Sequence, residues 1–100
     1  MKIYVRTLVE TNTDGRYLAL EELEASPVKD LDGVAVANTS KTYLKGFCAY
    51  DIATGLYIMW ARTKKELLEK LQSKKMQIES ARKTQLYQKR LKEFEEMKKL

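Results

Sequence analysis

Histidine is absent from this chain of 100 residues, and Cys48 is its single cysteine. The first absence excludes Ser-His-Asp and Cys-His nucleophilic systems, and the imidazole ligands of the usual zinc and non-haem iron sites. One thiol makes neither an intramolecular disulfide nor a thiolate metal site. Cys48 lies among apolar residues and reads as a small core side chain rather than a reactive thiol. There is no Walker A pattern and no GxGxxG, so no phosphate-cradling loop is expected. The apolar runs fall short of a membrane span. The first ten residues, MKIYVRTLVE, carry neither an apolar h-region nor a small-residue cleavage site. These absences point to a cytoplasmic chain with no catalytic residue, no metal and no cofactor. The head carboxylates Glu10, Asp14, Glu21, Glu22, Glu24, Asp30, Asp32 and Asp51 read as turn and solubility residues rather than an acid–base pair.

Glycine and proline are scarce, at four and one, and neither occurs after residue 62. Residues 63–100 hold 12 Lys/Arg against 6 Glu, a net of +6, while residues 1–62 net −1. The tail therefore reads as one long basic helix on a near-neutral head. Thr63 and Glu66 match a capping box at its start. Unbroken, such a helix would reach about 57 Å, well beyond the width of a 60-residue head.

The head reads as β structure. Residues 2–9 are rich in β-branched and aromatic side chains, and residues 11–15 form a turn around Asp14-Gly15. Residues 16–25 read as a strand giving way to a short helical turn before Pro27, and Ser26 should be extended. Residues 33–37 (GVAVA) are a short buried strand, residues 38–40 a turn, and residues 42–50 a longer strand. The strongest local signal is a hairpin over residues 46–61. Asp51 caps its turn, and Gly55 takes the left-handed position. Leu56, Ile58 and Trp60 are expected on one face of the second arm, with Tyr57, Met59 and Ala61 on the other. Both faces are apolar, which implies a central strand. The expected fold is α+β, in a single domain: a small antiparallel sheet of four or five short strands with one long C-terminal helix.

Residues 3–8 and 45–52 resemble the two RNA-contacting strands of the RNA recognition motif family, the second through Lys45-Gly46-Phe47. The resemblance implies that Tyr4 and Phe47 stack on bases. The chain departs from the family at Cys48, Ala49 and Ile52, and in following this strand with a hairpin arm rather than a helix. It is not assigned to that family.

Two functional expectations follow, both non-enzymatic. In the first, the basic helix engages nucleic acid or a nucleoprotein surface, with Lys74, Lys75, Arg82, Lys83, Lys89 and Arg90 neutralising phosphates. In the second, the chain is a phage-type or accessory regulator or inhibitor. It resembles anti-CRISPR proteins in size class only. Its apolar ridge Leu86, Tyr87, Leu91, Phe94 and Met97 would anchor a protein partner. The distal half of such a helix must project, fold back or pack on another chain, and a ridge left exposed leads us to expect a homodimer. No membrane partner is expected.

Overall fold

The computed structural model describes residues 1–10, 16–39 and 45–99. Two antiparallel strands, β1 (Lys2–Glu10) and β2 (Arg16–Glu24), form a ribbon in which Lys2 faces Glu24 and Glu10 faces Arg16. A second sheet of four strands follows in the order β3-β4-β5-β6, all antiparallel. These are β3 (Ser26–Pro27), β4 (Val34–Asn38), β5 (Phe47–Asp51) and β6 (Tyr57–Ala61). Three helices close the chain: α1 (Lys64–Ser73), α2 (Lys75–Ala81) and α3 (Gln85–Lys98).

The four-stranded sheet is covered on both faces, and β4 shows why GVAVA carries no charge. Val34 and Val36 pack with Leu31, Ala49 and Ala61 against Leu67 and Leu71 of α1, with Ile78 of α2 at the margin. Ala35 and Ala37 turn the other way, against Ile3 and Val5 of β1 and Ala25. The small alanines let the ribbon approach closely, while the valines meet the bulkier leucines.

The class is α+β, as expected, but several details differ. No helical turn forms in residues 20–25: β2 runs through Glu24, because cross-strand pairing overrides the helix propensity of Leu20, Glu21 and Glu22. Pro27 ends on an edge strand, where its missing N–H leaves no ladder bond unmade. The turn expected at residues 11–15 and the first part of the strand expected at 42–50 lie outside the described residues. β6 is an edge strand rather than a central one. A register shift opposite Ala49 and Tyr50 breaks its alternation, so Ile58, Met59 and Ala61 all reach the α1 side. The RNA-motif arrangement is absent too. Tyr4 lies on the separate ribbon, and Phe47 packs towards the core beneath α1, so the two rings do not share a surface.

The largest correction concerns the tail. It is helical but not one rod, and the fold measures 40 Å in its longest direction, less than the rod alone would need. Thr63 caps α1 by accepting the Glu66 N–H at 3.2 Å, as the capping box implies. The helix then breaks at Lys74 (φ −106°, ψ 8°). The decisive break is Thr84, whose backbone is extended (φ −86°, ψ 156°). Its hydroxyl donates to the Ala81 carbonyl at 2.7 Å and accepts the Tyr87 N–H at 3.2 Å. One side chain thus satisfies a carbonyl at the end of α2 and an N–H at the start of α3. The chain turns there, and α3 folds back onto the head.

Candidate functional site

The fold-back brings the hairpin turn 51–55 against the tail, and the polar residues meet at two neighbouring points. At the first, Asp51 has a side chain only 9% exposed. Its Oδ2 accepts from the Thr54 N–H at 3.1 Å, the Thr54 hydroxyl at 2.7 Å and the Tyr87 phenol at 2.9 Å. Its Oδ1 accepts from the Arg82 guanidinium at 3.2 Å. The two contacts to Thr54 are local and make the turn. The other two come from the joint between α2 and α3 and hold the tail. Arg82 fits because Gly33, at φ +80°, has no side chain: a Cβ there would lie 2.9 Å from the guanidinium.

At the second point, the Arg6 side chain is 3% exposed. Its Nε donates to the Thr54 carbonyl at 2.8 Å, and its terminal nitrogens reach Glu93 at 3.2 Å and the Arg90 carbonyl. The guanidinium lies 5.5 Å from the centre of the Phe94 ring, with Lys98 at 4.4 Å from the same centre. Phe94 is 1% exposed and sits over Gly55, whose φ of +70° needs no Cβ. A Cβ at Gly55 would stand 2.5 Å from the ring.

The electrostatics follow from this geometry. Burial pushes the Tyr87 phenol up to about 12, reinforced by its hydrogen bond to Asp51, so Tyr87 stays a donor. Glu93 is held below the usual carboxylate range, first by the hydrogen bonds from Arg90 and then by that from Arg6. Burial raises the Cys48 thiol, and the residue is 0% exposed. Tyr50 is pushed up to about 12, chiefly by burial. With four donors on Asp51 and the phenol protonated, the cluster offers neither a base nor a nucleophile. It is a clamp that fastens α3 to the turn.

The clamp divides the expected phosphate-binding residues. Arg82 is paired with Asp51, and Arg90 with Glu93 at 2.9 Å. Lys74, Lys83 and Lys89 are exposed and Lys75 is half-exposed. The expected ridge is divided as well. Phe94 is buried inside its own chain, and Tyr87, Leu91 and Met97 are half-buried. Of the five ridge residues only Leu86, at 59%, stands out into solvent. The projecting hydrophobic face that motivated a helix-paired homodimer is therefore not formed. Along α3, a shallow concavity of about 630 Å³ is lined, among the described residues, by Gln88, Lys89, Leu91, Lys92, Glu95, Glu96 and Lys99. Its mixed charge gives it no single preference for an anion.

Sequence reasoning identified Asp51 and Gly55 as turn residues but missed their tail partners. It also missed Arg6 altogether, since nothing local distinguishes that arginine from a solvated strand residue. Among the described residues, no helix is long and apolar enough to cross a membrane. Comparisons with family models, curated proteins and solved structures find no match to this chain.

Proposed function

We propose that the chain is a small, non-enzymatic, cytoplasmic binding protein that engages nucleic acid or a nucleoprotein surface through lysines of its helical tail. The observation that carries this reading is the division of labour among the tail cations. Both tail arginines are paired, Arg82 with Asp51 of the head and Arg90 with Glu93 of its own helix, while Lys74, Lys83 and Lys89 face solvent and Lys75 is half-exposed. Arginine reads guanine through a bidentate fork; a lysine ammonium neutralises a phosphate as a point charge. A surface of lysines therefore binds the backbone of a polyanion without selecting its sequence.

Such binding weakens steeply with salt, by a slope of about −0.9 per phosphate contact on duplex DNA. Four lysines give a slope of roughly −3 to −4. Gel-shift titrations on duplex DNA, single-stranded DNA and RNA at low salt test it. Glutamine at Lys74, Lys83 and Lys89 should remove about 0.9 of slope per residue engaged. No shift on any of the three nucleic acids overturns the proposal.

A second reading, the phage-type or accessory regulator that docks on a protein, draws support from Met76 and Leu86, which are 79% and 59% exposed. Pull-down from nuclease-treated lysate separates the two. A captured protein that is lost on Leu86→Asp but kept when the lysines are neutralised favours this reading over the first.

A further inference from the structure

Ile58 is the extra residue at the register shift between β5 and β6. Such a bulge re-aims the side chains beside it. Tyr57 and Trp60, three apart, would lie on opposite faces of a regular strand. Here they share the face of their partners on β5, Tyr50 and Cys48. That face is turned towards the ribbon, because Tyr50 packs against the cluster of Ile3, Val5, Ala35 and Ala37. The Tyr50 and Tyr57 rings meet nearly at right angles, with 78° between their planes and 6.4 Å between their centres. Tyr57 is 56% exposed, and Trp60 is half-buried. The Trp60 N–H is buried against Gly46, where a Cβ would lie 2.6 Å from the indole nitrogen, so the indole presents carbon outward.

A carboxylate joins the three rings. Glu21 is exposed and pairs across the ribbon with Val5, so it too lies on the ribbon face that meets the sheet. Its charge adds to burial in raising the Tyr50 phenol, which places it near that ring. The other glutamates at this end of β2 are paired, Glu22 with Lys2 at 3.4 Å and Glu24 with the N-terminal ammonium at 3.2 Å. Among the described residues, no cation pairs with Glu21, and both cation–π contacts fall on Phe94 rather than on these rings.

Electron-rich ring faces beside an unmatched negative charge suit a cation. We propose that Tyr50, Tyr57, Trp60 and Glu21 form a binding site for a trimethylammonium group, carried by a small molecule such as choline or by a methylated lysine. The methylated ion suits the site better than a bare lysine or arginine does. Those side chains bring several N–H donors, and Glu21 is the one carboxylate that acts on Tyr50. A trimethylammonium has no N–H to leave unmatched when it gives up water. The site lies on the sheet face away from α1 and uses no tail lysine, so the proposal stands apart from the function assigned above.

The single tryptophan, Trp60, reports on the site. Choline titrated into the whole chain should change Trp60 emission saturably in the millimolar range, beyond the effect of sodium chloride at equal ionic strength. The neutral isostere, with tert-butyl in place of trimethylammonium, should bind much more weakly. Saturation-transfer NMR on the N-methyl protons reads the same binding without relying on emission. Tyr57→Ala and Glu21→Gln alter exposed side chains and should leave the circular dichroism unchanged. The first should weaken binding about fivefold or more and the second about twofold to fivefold. A peptide bearing trimethyllysine separates the two sources: tighter binding than choline assigns the site to a modified protein, and equal or weaker binding assigns it to a free ammonium compound. Absence of binding by either cation in both measurements overturns the proposal. So does equal binding of the neutral isostere, or an affinity that either substitution leaves unchanged.

Discussion

The return of α3 onto the head can be tested at one contact, where the Phe94 ring covers Gly55. Phe94 is 1% exposed, so Phe94→Ala should cost about 3–5 kcal/mol, the range for emptying a buried aromatic site. Losing the stack with the Arg6 guanidinium places it in the upper part of that range. Gly55→Ala acts from the opposite side. The left-handed φ of +70° penalises any Cβ by roughly 1–2 kcal/mol. That Cβ would also stand 2.5 Å from the ring, which adds an overpacking cost of about 1–3 kcal/mol. Combining the two changes removes the collision and leaves only the backbone cost. A double-mutant cycle should therefore return a coupling of about 1–3 kcal/mol, with the double variant more stable than the sum of the two singles. Urea denaturation can be followed through the single tryptophan, Trp60. If the tail instead projected from the head, Phe94→Ala would cost almost nothing. Additive single costs, within about 0.5 kcal/mol, would refute the contact.

Other consequences follow from the clamp. Asp51→Ala strands Arg82 and Tyr87 beside a broken turn and should destabilise the chain by about 3 kcal/mol in the same denaturation assay. Tyr50 and Tyr87 keep their protons to about 12, against about 10 in an unfolded chain. Their contribution to stability is complete below pH of about 10 and is lost between about 10 and 12. Absorbance titration should find Tyr50 and Tyr87 ionising late, with one late group missing in Tyr87→Phe; ordinary titration of both would contradict the burial. Glu93 has the opposite sign: its support is present above its unfolded pKa of about 4.3 and fades as pH falls through its lower folded value. Glu93→Gln should thus flatten the acid limb of the stability curve measured against pH.

The parts of the fold legible in the sequence are those decided within a few residues. Asp51 and Gly55 define their hairpin locally, Thr63 and Glu66 mark the start of α1, and Val34 to Ala37 announce a buried strand by carrying no charge. What escaped was decided by distant partners. Thr84 stands in a stretch without glycine or proline, so the local pattern continues through it as helix. The apolar spacing of the tail slips in phase near residue 85, the one local trace of the break, and such a slip also fits an imperfect rod. Whether the chain continues or turns there depends on Arg6, Asp51 and Gly55 waiting on the head to receive Tyr87, Glu93 and Phe94. The site was half legible for the same reason. Charge counting finds all twelve tail cations. Only the packed structure separates Arg82, held by Asp51 of the head, from Lys74, Lys83 and Lys89, which face outward.

Arg6 also imposes an order on the making of the molecule. It is 84 residues upstream of the Arg90 carbonyl and 87 upstream of the Glu93 carboxylate that satisfy it. During synthesis, the ribbon and the four-stranded sheet can assemble while this guanidinium still has no acceptor from the tail. Burying it at that stage would leave a charge without its partners, so the site must stay hydrated until residue 94 is available to close over it. The head on a ribosome is thus a different object from the released chain: its strands can be paired while the Arg6 side stays open. Closure from the C-terminal side is a late, long-range step, and a slow one by its loop length. A nascent chain stalled before Arg90 should accordingly expose Gly55 and Arg6 to any binder that recognises unfinished protein.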